Sequence, residues 1–265
     1  MKHNWRGFTL IEVIVTVTII GLLVAIAIPS FFGLQARQSL RLGQKGIQSL
    51  LYSMQQRALA PEIDRTNSTG NFDVIGYGLL FQPVARDSFN RPLSTLFPTS
   101  PPDGIAKCVL SMNNDFIAVV KFVRSRQSQL PITPILIDKD PNQATCAPIN
   151  QGNAGTAIFA LPKNIEIVND SGASATTIPS ITPTNPWLLA VPIRAVGQEF
   201  GNLIPSDYVD PLGAGSAALV LRHTKVELNT GHLCQSISFT VNSNSIDISS
   251  NAIGSNTKQF EVGQV

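Results

Sequence analysis

A single acidic residue, Glu12, stands near the start of an otherwise apolar run from Phe8 to Gly33. The run is longer than the roughly 20 residues that an α-helix needs to cross the hydrocarbon of a bilayer. An ionised carboxylate in hydrocarbon costs several kcal/mol unless a positive group lies next to it. Glu12 therefore requires a cationic partner, which makes it the first candidate for a functional residue.

A second group of oxygen ligands occurs in the segment DKDPN, where Asp138, Asp140 and Asn142 alternate as they do in a calcium loop. The segment lacks the central glycine and the closing glutamate of an EF-hand. An ordinary polar turn explains it more simply, so no metal site is assigned.

The three histidines, His3, His223 and His232, predict no catalytic site. His3 precedes the apolar run, and the other two flank a predicted hairpin, where they can lie near each other. The signatures of serine hydrolases, zinc proteases, P-loops and dinucleotide-binding turns do not occur with the strand and helix context that they need. No catalytic residue and no cofactor is assigned, and an enzyme is the least favoured class of function.

Three cysteines, Cys108, Cys146 and Cys234, are far apart in the chain and show no C-x-x-C spacing. This spacing suggests neither a zinc knuckle nor a thioredoxin-type site. The odd number leaves at least one thiol free. Outside the cytoplasm one disulfide can form, and its pairing stays open among three choices.

Composition indicates a globular, loop-rich β domain with an apolar appendage. Hydrophobic residues make up 43% of the 265-residue chain and charged residues only 14%, while Pro, Gly, Ser, Thr and Asn fill much of the rest. The formal net charge of +2 gives no electrostatic reason to expect nucleic acid as a partner.

The apolar run allows three interpretations. In the first, the basic residues Lys2 and Arg6 and the segment Ala25 to Ala27 mark a cleaved secretory signal, although the run exceeds the roughly 7 to 15 apolar residues of such signals. In the second, the run is a permanent single-pass anchor, which leaves Glu12 unexplained. Basic residues on both sides of the run leave its orientation undecided.

The third interpretation rests on the sequence RGFTLIEVIVTVTIIGLLVAIAIPSF, which resembles the N-terminal signature of type IV prepilins and type II secretion pseudopilins. The resemblance implies that Gly7 ends a short leader, that Phe8 is the first mature residue and is N-methylated, and that Pro29 kinks the stem helix. It gives Glu12 a role in assembly. The implied partners are the prepilin peptidase, which cuts between Gly7 and Phe8, other pilin or pseudopilin subunits, the inner-membrane assembly platform and the lipid bilayer.

Removal of the leader would leave Glu12 one helical turn after the new amine of Phe8, on the same face. The helix macrodipole also favours a carboxylate at this end. The amine that it pairs with belongs either to its own chain or to a neighbouring subunit, and the second choice would set the axial register of a fibre. Capping of its own helix is the alternative role.

Beyond Gly33 the pattern predicts an amphipathic helix that ends near Ala60, before Pro61. The face expected to pack on the C-terminal domain consists of Ile47, Leu50, Leu51, Met54 and Ala58. A basic row expected on the solvated face consists of Arg37, Arg41 and Lys45. Gly43 and Gly46 are expected to weaken the helix and to permit bending.

The rest of the chain predicts a β-rich head. Short apolar runs between turn residues predict strands at 74–81, 116–123, 132–137, 157–161, 165–168 and 187–193. The clearest hairpin joins Ala217–Leu228 to Leu233–Val241 across a turn in which Gly231 supplies a positive φ. Long loops are expected at 91–104 and 169–186.

The predicted fold class is α+β, with a leader at 1–7, a stem helix at 8–60 whose first part is transmembrane, and a β-rich head at 61–265. By resemblance the chain is a single-pass protein of the bacterial inner membrane with its head outside the cytoplasm, and later a subunit of a periplasmic or cell-surface fibre. A large head favours a minor pilin or a pseudopilin. The alternative is a membrane-tethered or fibre-tip binding module for adhesion or DNA uptake. A type IV pilus, a type II secretion system and a competence system all stay open.

Overall fold

A computed structural model describes the protein over residues 8–59, 72–89, 91–98, 107–126, 132–139, 147–168, 186–192, 216–228, 231–242 and 245–250. Within these ranges the chain forms one long helix followed by strands only. The predicted α+β class, with a long N-terminal helix and a β-rich C-terminal region, is confirmed.

The helix α1 spans Leu10–Leu59. The strands, in chain order, are β1 (Phe72–Gln82), β2 (Thr95–Pro98), β3 (Lys107–Ser111), β4 (Phe116–Ser125), β5 (Thr133–Leu136), β6 (Ile149–Asn150), β7 (Ile158–Ala160), β8 (Ile165–Val168), β9 (Trp187–Pro192), β10 (Ser216–Leu228), β11 (Gly231–Asn242) and β12 (Ser245–Ser250).

The backbone of α1 is helical without interruption, and position 29 lies inside it. A bend of the helix at Pro29 stays a prediction. None of the helical residues that the structure describes forms a segment both long enough and apolar enough to be assigned as a membrane span.

Three sheets make up the head. The central one has the strand order β5-β4-β1-β9, and β7 extends it by pairing with β4 beside β5. The second sheet has the order β12-β11-β10-β8, and the third has the order β2-β3-β6. The pairs are antiparallel except for β3 with β6, which is parallel.

The central sheet is covered on both faces, because apolar side chains alternate along its strands and both sets are buried. From β1, Leu79 and Phe81 join a core that also includes the second half of α1 and the inner face of the second sheet. Leu80 points the other way, into a second core closed by Cys108 and Leu110 of the third sheet. This double burial explains the nearly continuous apolar runs of β1 and β4.

The second half of α1 packs on the head as the sequence predicted. Ile47, Leu51, Met54 and Ala58 are buried in the first core, and Leu50 is partly buried against it. Arg37, Arg41 and Lys45 are exposed and take no part in this packing, as the sequence predicted. The buried face also begins earlier than predicted, because Ala36 and Leu40 belong to the same core.

The structure gives Gly43 and Gly46 a role that the sequence analysis did not predict. A Cβ atom at Gly46 would overlap the ring of Phe159, and one at Gly43 would lie 3.2 Å from Cδ1 of Leu221. Both glycines therefore allow the head to approach the helix backbone closely. The interpretation of these residues as bending points lacks support in the helix, which is continuous there.

The strands predicted from apolar runs are confirmed, with shifts of one or two residues at their ends. The hairpin of β10 and β11 is also confirmed, but its turn was assigned wrongly. Gly231 is the first residue of β11 and pairs with Leu228, so it is not a turn residue. The predicted loop at 91–104 contains β2, and the loop at 169–186 lies almost entirely outside the described residues.

Candidate functional site

The N-terminal end of α1 is capped by a side chain. The Oγ1 atom of Thr9 accepts a hydrogen bond from the backbone N–H of Glu12 at 3.3 Å, and the N–H of Val13 bonds to the Thr9 carbonyl at 3.3 Å. Thr9 therefore occupies the N-cap position and Glu12 the N3 position, which is the T-x-x-E spacing of a capping box. The helix begins with Leu10, the third residue after the predicted cleavage point.

Glu12 lies in the first turn of α1 and is exposed. Phe8 precedes the helix and is also exposed, whereas Gly7 lies outside the described residues. The exposed apolar side chains that follow surround the helix on all sides; they include Leu10, Ile11, Val13, Ile14, Val15, Val17, Ile19, Ile20, Leu22, Leu23, Val24 and Ile26. A helix that is apolar all round must be buried in lipid or among other helices.

Two glutamines of the stem fix its second half to the second sheet. Gln235 of β11 donates from Nε2 to Oε1 of Gln44 at 2.6 Å. Gln55 donates from Nε2 to the backbone carbonyl of Ile246 in β12 at 2.7 Å. Together with the shared core, these bonds hold the second half of the stem against the head.

A buried carboxylate, Asp115, joins the two larger sheets. Its Oδ1 accepts the N–H of Val84, which follows β1, at 2.9 Å. Its Oδ2 accepts the N–H of Ile167 in β8 at 2.7 Å. Burial raises the pKa of Asp115 above its ordinary value, while these two backbone bonds oppose the shift. Asp115 could not be recognised from the sequence, because a lone aspartate before a strand is a common turn residue.

Of the two cysteines that the structure describes, one is disulfide-bonded and the other is free. Cys108 is disulfide-bonded, while Cys234 is free and buried. The two pairings that involve Cys234 are therefore excluded, and Cys146 lies outside the described residues. Burial raises the pKa of the Cys234 thiol to about 11, which leaves it protonated at neutral pH.

We expect the thiol of Cys234 to resist alkylation in the folded protein at pH 8, because a buried thiol with a pKa of about 11 supplies almost no thiolate there. Mass spectrometry after iodoacetamide treatment should detect no modified cysteine in the native protein. It should detect one after unfolding without a reductant and three after unfolding with one. Alkylation of Cys234 in the native protein would contradict the assigned burial.

The remaining predicted groups do not form a site within the part of the chain that the structure describes. The register pairs His232 with Glu227 and not with His223, so the two histidines are not cross-strand neighbours. Burial and the charge of Lys225 lower the pKa of His223. Asp138 lies 3.8 Å from the Lys139 ammonium. Asp140, Asn142 and His3 lie outside the described residues.

One exposed loop presents an aromatic side chain in a fixed setting. Phe89 is 77% exposed, and the guanidinium carbon of Arg91 lies 5.2 Å from the centre of its ring. The Oδ1 atom of Asp87 accepts the N–H groups of Phe89 and Arg91 at 2.9 and 2.8 Å. The backbone bond from Arg91 is the main reason that the pKa of Asp87 is lowered.

Comparison with known proteins identifies the class of the N-terminal segment. Residues 6–28 match the family described as the prokaryotic N-terminal methylation motif. The match contains Gly7, Phe8 and Glu12 and the first part of α1. The chain therefore carries the prepilin-type motif, and the resemblance recognised in its sequence is confirmed.

A curated relative supports the same class. The chain is 41% identical over 66 residues to the type IV major pilin protein PilA of Myxococcus xanthus (strain DK1622), which covers 25% of this chain and 29% of that protein. The chain thus matches less than a third of the length of this relative. No solved structure matches the chain.

Proposed function

We propose that this protein is a structural subunit of a pilus or pseudopilus fibre that assembles through its N-terminal helix. The observation that carries the proposal is the division of α1 into two parts. The second part is packed on the head. The first part, which carries the methylation motif, exposes apolar side chains on every side. Neighbouring stems in a fibre would bury this apolar surface, as the bilayer does before assembly.

The proposed precursor has a leader at 1–7, a stem at 8–60 and a head at 61–265. A prepilin peptidase would cut between Gly7 and Phe8 and methylate the amine of Phe8. The Thr9 cap supports cleavage at this point, because the hydrogen bonds of Glu12 and Val13 to Thr9 both lie on the mature side of the cut. Cleavage would not disturb the cap.

Glu12 is the proposed assembly residue. After cleavage, its carboxylate can meet the new amine of a neighbouring subunit, and this pair would set the axial register of the incoming chain. Exposure of Glu12 supports an intermolecular partner, because its side chain is not covered by its own head. The proposed partners are thus the peptidase, other subunits and the inner-membrane assembly platform.

The proposed location before assembly is the bacterial inner membrane, with the stem in the bilayer and the head outside the cytoplasm. The disulfide at Cys108 supports this placement, since structural disulfides persist in oxidising compartments and are rare in the cytoplasm. We propose a minor pilin or a pseudopilin, on the ground of the large head, and no catalytic role.

A second candidate function is a binding module at a fibre tip. The exposed ring of Phe89 beneath Arg91 favours it, because aromatic and arginine side chains dominate binding energy at protein interfaces. Truncation to Phe89→Ala should then abolish binding of the fibre to its target and leave the number of fibres unchanged. Unchanged binding by that variant would remove this candidate.

Shearing of fibres from cells tests the assembly proposal. We expect the epitope-tagged chain to appear in the sheared high-molecular-weight fraction of cells that contain the prepilin peptidase. It should stay in the membrane fraction of cells that lack the enzyme. Equal recovery of the chain from both strains, or its absence from every fibre fraction, would contradict the proposal.

A further inference from the structure

The stem helix has an uneven charge distribution. Glu12 is its single acid, whereas its cations are Arg37, Arg41, Lys45 and Arg57. The first three cations are spaced by four residues and follow directly after the exposed apolar part of the stem. Like charges four residues apart on a helix repel each other. An anion bound beside this row would therefore stabilise it.

The side chains of Arg37 and Arg41 are available for such an anion. Both are exposed, and the described part of the chain holds no ion pair that involves either of them. The same turns of α1 contact the head through Ala36 and Leu40 instead. The head thus covers the adjacent face of the helix, while the side chains of Arg37 and Arg41 stay exposed.

The position of the row along the helix matches the thickness of a membrane. At roughly 1.5 Å per residue, a straight helix places Leu34 about 36 Å from Leu10 and Arg37 about 40 Å from it. A bilayer is roughly 30 Å thick across its hydrocarbon and roughly 40 to 45 Å thick with its headgroup regions. With Leu10 at one headgroup region, the exposed Leu34 falls at the far edge of the hydrocarbon and Arg37 falls among the opposite headgroups.

The next two cations, Arg41 and Lys45, lie progressively farther along the helix than the headgroup region. Arg41 is about 46 Å from Leu10 and Lys45 about 52 Å on the same straight helix. Side chains of a helix tilt toward its N-terminus, and arginine has a long stem that can extend to a headgroup. Arg41 can therefore reach back to the headgroups, whereas Lys45 lies beyond them.

We propose that Arg37 and Arg41 bind the anionic headgroups of lipids on the outer side of the membrane before the chain enters a fibre, and that Lys45 does not. This inference rests on the proposed function, in which the stem lies in the inner membrane before assembly (the membrane stage). Headgroup binding holds the stem at one depth, with the junction between stem and head at the membrane surface. A cation close to an anionic surface gains roughly 1 kcal/mol, which is about a fivefold preference per arginine.

Lipid selectivity tests the proposal on the full-length chain reconstituted in phosphatidylcholine vesicles. Trace amounts of spin-labelled phosphatidylglycerol or spin-labelled phosphatidylcholine report which lipid is immobilised beside the protein. We expect phosphatidylglycerol to be enriched, and the double variant Arg37→Ala, Arg41→Ala to lower that enrichment at least about twofold, since several neighbouring lipids share the signal. The matched variant Lys45→Ala should keep the enrichment of the original chain.

Each outcome bears on a separate step. Both variants retain Lys2 and Arg6, so any binding of lipid by the leader cancels in the comparison. Failure of every chain to float with the vesicles would overturn the membrane stage and this inference with it. Flotation without a difference in phosphatidylglycerol enrichment between the double variant and the original chain would overturn the headgroup site alone.

Equal losses of phosphatidylglycerol enrichment in the double variant and in Lys45→Ala would overturn the depth assigned to the stem in the bilayer. Loss of fibre recovery with unchanged enrichment would assign the row to a second copy of the chain and overturn the lipid site.

Discussion

Replacing Glu12 with Leu should leave the chain in the membrane and lower its recovery in sheared fibres by about tenfold or more. The variant removes the carboxylate that is proposed to meet the amine of a neighbouring subunit, and a loss of only about 1.4 kcal/mol at that step already changes the equilibrium tenfold. Membrane insertion should be unaffected or improved, because Leu is more favourable than Glu in hydrocarbon. Quantitative blotting of the membrane and fibre fractions measures both effects.

Two further variants separate charge pairing from helix capping. Gln fills the N3 position of a capping box as Glu does but carries no charge, so Glu12→Gln should fail in assembly if pairing matters and succeed if capping alone matters. Thr16→Val is the matched control one turn along the helix, where the hydroxyl donates to the backbone carbonyls of Glu12 and Val13 at 2.9 Å. Fibre recovery of Glu12→Leu equal to that of Thr16→Val would refute the role assigned to Glu12.

Truncation of Asp115 to Ala should destabilise the head by about 2 to 4 kcal/mol at neutral pH, because two buried N–H groups lose their acceptor. The change also separates the end of β1 from β8, so both larger sheets should loosen together. Denaturant unfolding of the full chain in detergent, followed by tryptophan fluorescence of the buried Trp187, measures the loss.

The control for this prediction is Asp73→Ala. Asp73 forms an ion pair with Arg126 at 2.8 Å in which both side chains are substantially exposed. Such surface pairs contribute roughly 0 to 1 kcal/mol, so the midpoint of unfolding should change little. A loss in Asp115→Ala no larger than that in Asp73→Ala would show that Asp115 does not join the sheets.

The raised pKa of Asp115 also fixes the sign of its pH dependence. The folded head binds this proton more tightly than the unfolded chain does, since the ordinary pKa is 3.8. The contribution of this group to stability is therefore greatest below pH 3.8 and decreases as the pH rises through the folded pKa. At neutral pH the N–H groups of Val84 and Ile167 offset part of the cost of burying the ionised carboxylate.

Features set by local pattern could be predicted from the sequence. The motif around Glu12 depends on residues that are adjacent in the chain, and the family match confirms its recognition. The face of α1 with Ile47, Leu51 and Met54 follows from helical periodicity alone. The strands β1 and β4 could also be predicted, because their long apolar runs are bounded by turn residues; the runs are apolar because both faces of the central sheet are covered.

Features set by contacts between distant segments could not. β6 is only two residues long and exists through its pairing with Leu110 and Ser111 of β3. β2 lies in a proline-rich segment that reads as a loop until β3 pairs with it. By contrast, β12 had a usable signal, since Ile246 and Ile248 alternate with polar residues and both contact the first core.

Two buried polar side chains show the same limit. Asp115 resembles a turn residue in the sequence, and only the approach of Val84 and Ile167 gives it a function. Lys121 interrupts an apolar run in β4 and is only 2% exposed, although a lone lysine in a strand usually indicates a solvated face. The residues that bury Asp115 and Lys121 come from distant parts of the chain. The burial of these two side chains therefore cannot be predicted from sequence periodicity.

The mass of the N-terminal peptide of the mature protein, isolated from the cells that make it, shows whether the chain is processed between Gly7 and Phe8. We expect a peptide that begins at Phe8 and carries one additional methyl group on its amine. A mature chain that still begins at Met1, or one that has lost every residue through Ala27, would contradict this expectation.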